Sequence, residues 1–189
     1  MTEKLKVKII NGFRKTSSFG WRFVPKWKLE FIKLNGMNAF EVLTKGLTIQ
    51  EKQTRDIIET GLKTSKTYIV PNPQKFPDTF KFHNGIDFIG SDTKLLAIAD
   101  GIILEVKTTD LSGNYIKVEY DFNGVKYLCS YCHLKTHTPD IENKKVSMGE
   151  WIAVMGNSGV TSTGVHCHLT VREVATGNNI NPENIFEFI

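Results

Sequence analysis

Tyr115-Ile-Lys-Val-Glu-Tyr-Asp-Phe-Asn-Gly-Val-Lys-Tyr-Leu-Cys-Ser-Tyr131 decides the fold class. Polar and apolar residues alternate on either side of its centre, the two-residue period of a strand with one buried face. Asn123-Gly124 lies between the two runs, and this dipeptide favours a tight turn whose two residues both take positive φ. The segment therefore reads as an antiparallel hairpin. Further short runs surround it: Leu95–Ala99, Ile102–Val106, Trp151–Met155 and His168–Arg172, each bounded by turn residues. Strands at this spacing predict a mainly β fold, an antiparallel sheet or sandwich.

The first 80 residues read differently. Thr16-Ser-Ser-Phe-Gly-Trp-Arg22 reads as a strand edge and turn. Thr48-Ile-Gln-Glu51 has capping-box spacing and opens a helical stretch that Gly61 would close. Pro71, Pro73 and Pro77 make an extended connection back to the β-rich half. Residues 1–189 are thus expected to form a single domain, with a motif-bearing β core over 81–189 and a mixed, α-containing insertion over 23–80.

Composition narrows the function classes. No stretch approaches the roughly 18–20 apolar residues of a membrane span, so no membrane partner is expected. The net charge of +4 comes from Lys and Arg scattered without a run, which does not predict a nucleic-acid footprint. Three Cys, an odd number in a chain of this size, predict free thiols. The polar start, Met1-Thr-Glu-Lys-Leu-Lys6, lacks the apolar core of a signal peptide. This predicts either a chain delivered without the usual secretion route or one whose leader has been removed.

Four of the five His keep suggestive company. His83-Asn-Gly-Ile-Asp87 sets a His and a carboxylate four apart around a Gly, His133 ends a β-type run, and His166-Cys-His168 opens another. The fifth, His137, is read as incidental in a polar loop. In a strand, residues i and i+2 share a face, so His166 and His168 point the same way and Cys167 the other. His83, Asp87 and one His of the pair would offer a metal two imidazoles and a carboxylate, leaving a fourth position open. The other His of the pair and His133 would stand beside the metal as proton carriers.

These residues resemble the lysostaphin-like, or LytM-type, zinc endopeptidases that cleave peptidoglycan peptides. The likeness rests on His83–Asp87, Tyr131-Cys-His-Leu134 and Gly156-Asn-Ser-Gly-Val-Thr-Ser-Thr-Gly-Val-His-Cys-His168, with Ala99-Asp-Gly-Ile-Ile103, Val146–Ile152 and Thr16–Arg22 in support. The resemblance implies one zinc per chain held by His83, Asp87 and His168, with His133 and His166 as the catalytic pair. His166 is expected as the proton acceptor beside its strand-mate His168, and His133 as the group that orients the water or steadies the oxyanion. The sequence leaves those two roles interchangeable. The resemblance implies hydrolysis of stem or cross-bridge peptides at the bacterial cell wall, and the polar start slightly favours a virion-associated or phage-delivered enzyme over a truncated secreted one.

Val165 stands where the family usually has Pro, Leu169-Thr170 replace its aromatic and acidic residues, and 23–80 exceeds its usual connection. Other readings fit fewer residues. Cys129-Ser-Tyr-Cys-His133 satisfies a haem-attachment pattern, but a strand sends positions 129 and 132 to opposite faces. A zinc ribbon lacks its second Cys pair. A cupin-type site would use His166, His168 and Glu173 and leave His83, Asp87 and His133 idle. An inactive wall-binding or virion structural module of the same fold would not require the intact five-residue set.

Overall fold

The computed structural model describes residues 4–23, 32–44, 56, 58–60, 63 and 80–189. The chain divides into two compact units, Met1–Ser18 with Asn84–Ile189, and Phe19–His83.

The first unit carries β1 (Leu5–Val7), β2 (Arg14–Ser17), β5 (Gly85–Ile89), β6 (Lys94–Leu96), β7 (Gly101–Thr109), β8 (Gly113–Phe122) and β9 (Val125–His137). It continues with β10 (Lys145–Val146), β11 (Trp151–Met155), β12 (Cys167–Glu173), β13 (Asn179–Ile180) and β14 (Phe186–Phe188). A 10-stranded sheet runs in the order β10-β7-β8-β9-β12-β5-β2, with β11 beside β6 and β9 and β13 beside β12. Its pairings are antiparallel, as the alternating runs predict. β1 pairs in parallel with β14, tying the two ends of the unit together.

The opening hairpin forms as read. Phe122 pairs with Val125 across the turn, and Asn123 and Gly124 take φ of 53° and 78°. Gly124 N–H donates to Asp121 Oδ1 at 2.9 Å, which fixes the turn.

The sheet has two chemically distinct faces. Val118, Tyr120, Cys129, Tyr131, Cys167, Leu169, Val171, Ile86 and Phe88 are buried on one of them. Burying a side chain of this size stabilises the fold by roughly 1.5–3 kcal/mol. Two phenols in this core are satisfied by each other, Tyr120 Oη and Tyr131 Oη lying 2.8 Å apart. The alternate residues Lys117, Ser130, Cys132, Thr170, His168 and Asp87 turn to the opposite face, matched in register across four strands.

β9 bends at His133. Tyr131 pairs with Ile116 and Leu134 with Asn114, so three steps on β9 match two on β8, the mark of a bulge. His133 carries the strain of it at φ 63°. Before the bulge β9 pairs with β12, the last register being Cys132 with His168. Beyond it, Leu134 pairs with Met155 of β11.

The second unit carries β3 (Gly20–Phe23) and β4 (Phe80–His83), paired antiparallel with Gly20 opposite His83. Phe19 and Phe82 meet edge to face at 5.2 Å. A short helix spans Ala39–Thr44. Asn38 caps it, its Oδ1 accepting from Phe40 N at 3.0 Å and Glu41 N at 3.3 Å.

Three expectations need correction or limit. The run Leu95–Ala99 is a strand only to Leu96. Ala97 N–H is diverted to Glu150 O and Ala97 O to Gly149 N–H, both at 2.8 Å, which ends the ladder. His137 is the last residue of β9, not part of a loop. The capping box Thr48–Glu51, Gly61 and the three prolines lie outside the described residues, although Asp56, Ile58–Thr60 and Lys63 are helical.

Candidate active site

Asp87 and His168 are opposite partners in the β5–β12 register, so they share one face at the closest cross-strand spacing. His168 Nδ1 lies 2.8 Å from Asp87 Oδ1, and His166 Nε2 lies 3.9 Å from the same oxygen. His83, buried at the end of β4, completes the set. One donor atom each from His83, Asp87 and His168 falls within 4.8 Å of the others. Two ligands on a tetrahedral metal at about 2.0–2.2 Å lie roughly 3.3 Å apart. The set therefore fits such an ion with small side-chain adjustments, and its chemistry, two imidazoles and one carboxylate, is that of a metallo-hydrolase.

His133 and His166 form a second pair on the same face, their ring centroids 4.8 Å apart. His133 also stands 6.0 Å from the His168 ring. His133 Nδ1 lies 2.8 Å from Ser158 O, and His166 Nδ1 lies 2.7 Å from Gly164 O. A carbonyl oxygen can only accept, so each ring carries a proton on Nδ1 and, when neutral, a lone pair on Nε2. Burial pushes the His133 pKa below the ordinary histidine value; the neighbouring His166 and His168 push the same way, while Ser158 O opposes. Neutral His133 is therefore the ground state at physiological pH.

Gly156–His168 is built to hold these rings. Gly156 crosses β9 so closely that a Cβ there would strike the backbone of Leu134 and Lys135. Gly159, at φ 83°, lies against Gly113 with no room for a side chain on either. Ser158 Oγ donates to Leu134 O at 2.8 Å and accepts from Asn114 N at 2.9 Å, which pins its carbonyl beside His133. Ser162 Oγ donates to Asn157 Oδ1 at 2.6 Å and sits 3.3 Å from His166 Nδ1.

All five residues picked from the sequence meet here. Two supports were missed: Ser158 O, which fixes the His133 tautomer, and Asn84, whose Oδ1 accepts from His168 Nε2 at 3.1 Å. Asn84 lies inside the His83–Asp87 motif, and that position was its one available signal. Glu173, needed by a cupin-type site, ends β12 five residues beyond His168, about 17 Å away along the strand. Cys129 packs in the core while Cys132 faces the site; all three Cys are free and buried. Burial raises the Cys132 pKa to about 11, which keeps it a thiol.

A cavity of about 420 Å³ opens beside this constellation, reaching from His133 and His168 over Cys132, Ser130 and Thr170 to Lys117. Hydroxyl, amide and imidazole groups line it together with apolar surface such as that of Leu111 and Tyr115.

The profile of peptidase family M23 matches residues 81–182, more than half of the chain. An uncharacterized metalloprotease of Buchnera aphidicola subsp. Baizongia pistaciae is 39% identical over 121 residues, covering 60% of this chain and 30% of its own length. The chain thus spans less than a third of that relative. A zinc-containing peptidase from Vibrio cholerae superposes with a TM-score of 0.55 at 18% identity, over 95% of this chain and 39% of that one. The catalytic domain of lysostaphin from Staphylococcus simulans gives 0.47 at 26% identity, over 55% and 77%. With its motifs in order on the matched sheet, the chain belongs to peptidase family M23, a family of metallopeptidases.

Proposed function

We propose that the protein is a zinc-dependent endopeptidase acting at the bacterial cell wall on stem or cross-bridge peptides of peptidoglycan. The observation that carries this reading is the convergence of His83, Asp87 and His168 within 4.8 Å, beside a pair of imidazoles held by backbone carbonyls. The wall peptide as substrate is supported by the motif resemblance and by the groove that opens beside the site.

His83, Asp87 and His168 would hold the zinc ion. Bound there, zinc supplies Lewis acidity, polarising the scissile carbonyl and lowering the pKa of a water toward neutrality. Asn84 Oδ1 accepts a hydrogen bond from His168 Nε2–H, which would leave the Nδ1 lone pair, beside Asp87 Oδ1, for the metal. His166, its Nδ1–H committed to Gly164 O, offers Nε2 as the base that accepts a proton from the attacking water and passes it to the leaving amine. His133 is also an acceptor at Nε2 while neutral. It becomes a donor to the developing oxyanion only after gaining a proton, so its role in steadying charge begins with proton uptake.

Purified peptidoglycan of several wall chemotypes, digested with and without a chelator and read by mass spectrometry, tests the reading. Chelator-sensitive release of new amino termini is expected. Intact walls of every type, after treatment with folded, zinc-loaded protein, would favour a wall-binding module instead.

A further inference from the structure

The groove floor carries a polar row that the proposed chemistry leaves unused. Lys117 pairs with Ser130 between β8 and β9, and Ser130 pairs with Thr170 between β9 and β12. Three neighbouring strands thus set an ammonium and two hydroxyls side by side, and all three line the cavity. Among the described residues neither Ser130 Oγ nor Thr170 Oγ1 has a side-chain hydrogen bond. Among the described residues that line the groove, Lys117 is the one ammonium and none is a carboxylate.

Lys117 is held in place with N–H donors to spare. Its Nζ lies 2.6 Å from Glu105 Oε1, and its head sits 5.2 Å from the Tyr115 ring centroid. Glu105 is shared: Lys107 Nζ lies 2.8 Å from Oε2, and Tyr115 Oη donates to Oε1 at 2.5 Å. Two carboxylates, Glu105 and Glu142, answer the two ammonium groups, and an ammonium has three N–H donors, of which Glu105 uses one. Thr170 is two residues from His168 on the same face of β12, about 7 Å along the strand, and Lys117 lies two strands further, at about 4.8 Å each.

Resting on the peptidase reading above, we propose that Lys117, Ser130 and Thr170 form a subsite for a substrate carboxylate, about two to three residues of extended peptide from the bond that is cut. The groove then selects peptides bearing a free carboxylate, either an acidic side chain or a chain terminus, over uncharged glycine-type bridges. The ammonium supplies the charge, and the hydroxyls supply two further donors.

The test compares matched synthetic peptides on the zinc-loaded protein: an acidic side chain against its primary amide, and a free C-terminus against its amide. Expected is a roughly 10- to 100-fold higher kcat/KM for the acid form in one of the two pairs, carried mainly by KM. The pair that responds identifies the source of the carboxylate. Lys117→Met should abolish the preference and Lys117→Arg should keep most of it, with circular dichroism confirming that each variant folds. Equal rates for acid and amide in both pairs on the wild type would overturn the subsite, as would a preference that survives Lys117→Met. Should no peptide be cut, the peptidase reading falls on its own. Calorimetric binding of the same peptides would still decide the subsite, with equal affinity or no binding of acid and amide forms overturning it.

Discussion

The Nδ1 of His133 lies 2.8 Å from the carbonyl oxygen of Ser158, a residue 25 positions away. The bulge at φ 63° aims the ring, and the carbonyl fixes its proton. The ring thereby stands 4.8 Å from that of His166 and 6.0 Å from that of His168, centroid to centroid.

Substitution should separate this ring from the bulge that carries it. Asn tolerates the left-handed backbone conformation better than other non-glycine residues, so His133→Asn should fold and retain metal. Its kcat should fall by about 10²–10⁴-fold, the usual contribution of a positioned proton carrier. Metal content by atomic emission beside steady-state kinetics checks this, and loss of metal would remove His133 from the catalytic pair.

Asp87→Ala and His168→Ala should lose metal and activity together, since each removes one of three donors. Dialysis against a chelator should silence the wild type, and added zinc should restore it. Retained stoichiometric metal in either variant would contradict the ligand set.

His133 should titrate below the ordinary histidine value of 6.5. Burial disfavours the charged imidazolium, so His133 stays neutral and able to accept a proton as the pH falls past that value, and fails only lower. An NMR titration of the histidine ring signals, with His133→Asn for assignment, checks the sign, and a His133 midpoint above 6.5 would be the wrong one.

Glu105 should make the fold acid-labile. Hydrogen bonds from Lys107, Lys117 and Tyr115, in that order, hold its pKa near 2 against an ordinary 4.5. A depressed carboxylate contributes stability above the ordinary value and loses it as the pH falls toward the folded one. Glu105 keeps 22% of its side-chain exposure, so screening limits the effect. Glu105→Gln should cost about 1 kcal/mol at pH 7, roughly 2–4 °C in Tm, and almost nothing at pH 2. Thermal melts across that range would show the two curves converging.

Gly159→Ala should cost about 1–3 kcal/mol, because φ 83° and the contact with Gly113 both exclude a Cβ. Ser158 lies next to it, so activity should fall along with Tm. Unchanged melting would show that the loop has another conformation open to it.

Much of the protein was legible in the chain alone. Period-two alternation and Asn123-Gly124 are local, so the hairpin and most strands followed from them without tertiary information. Four of the five candidate site residues stood out because His83-x-x-x-Asp87 and His166-x-His168 pair chemistry with a spacing that strand geometry turns into one face. Long-range bonding decided the rest. Leu95–Ala99 has strand composition throughout, yet β6 stops at Leu96 because Glu150 O and Gly149 N–H claim the backbone of Ala97. Nothing in Tyr131-Cys-His-Leu134 announces a bulge. It arises because β9 must leave β12 and join β11 within a few residues, and the added residue is His133. The proton positions of His133 and His166 belong to carbonyls 25 and 2 residues away, and the row of Lys117, Ser130 and Thr170 exists only in the register of three strands. The sequence determined which groups are available for the proposed chemistry; the tertiary structure alone decided where each proton resides and what the groove beside them presents, since both depend on partners remote along the chain.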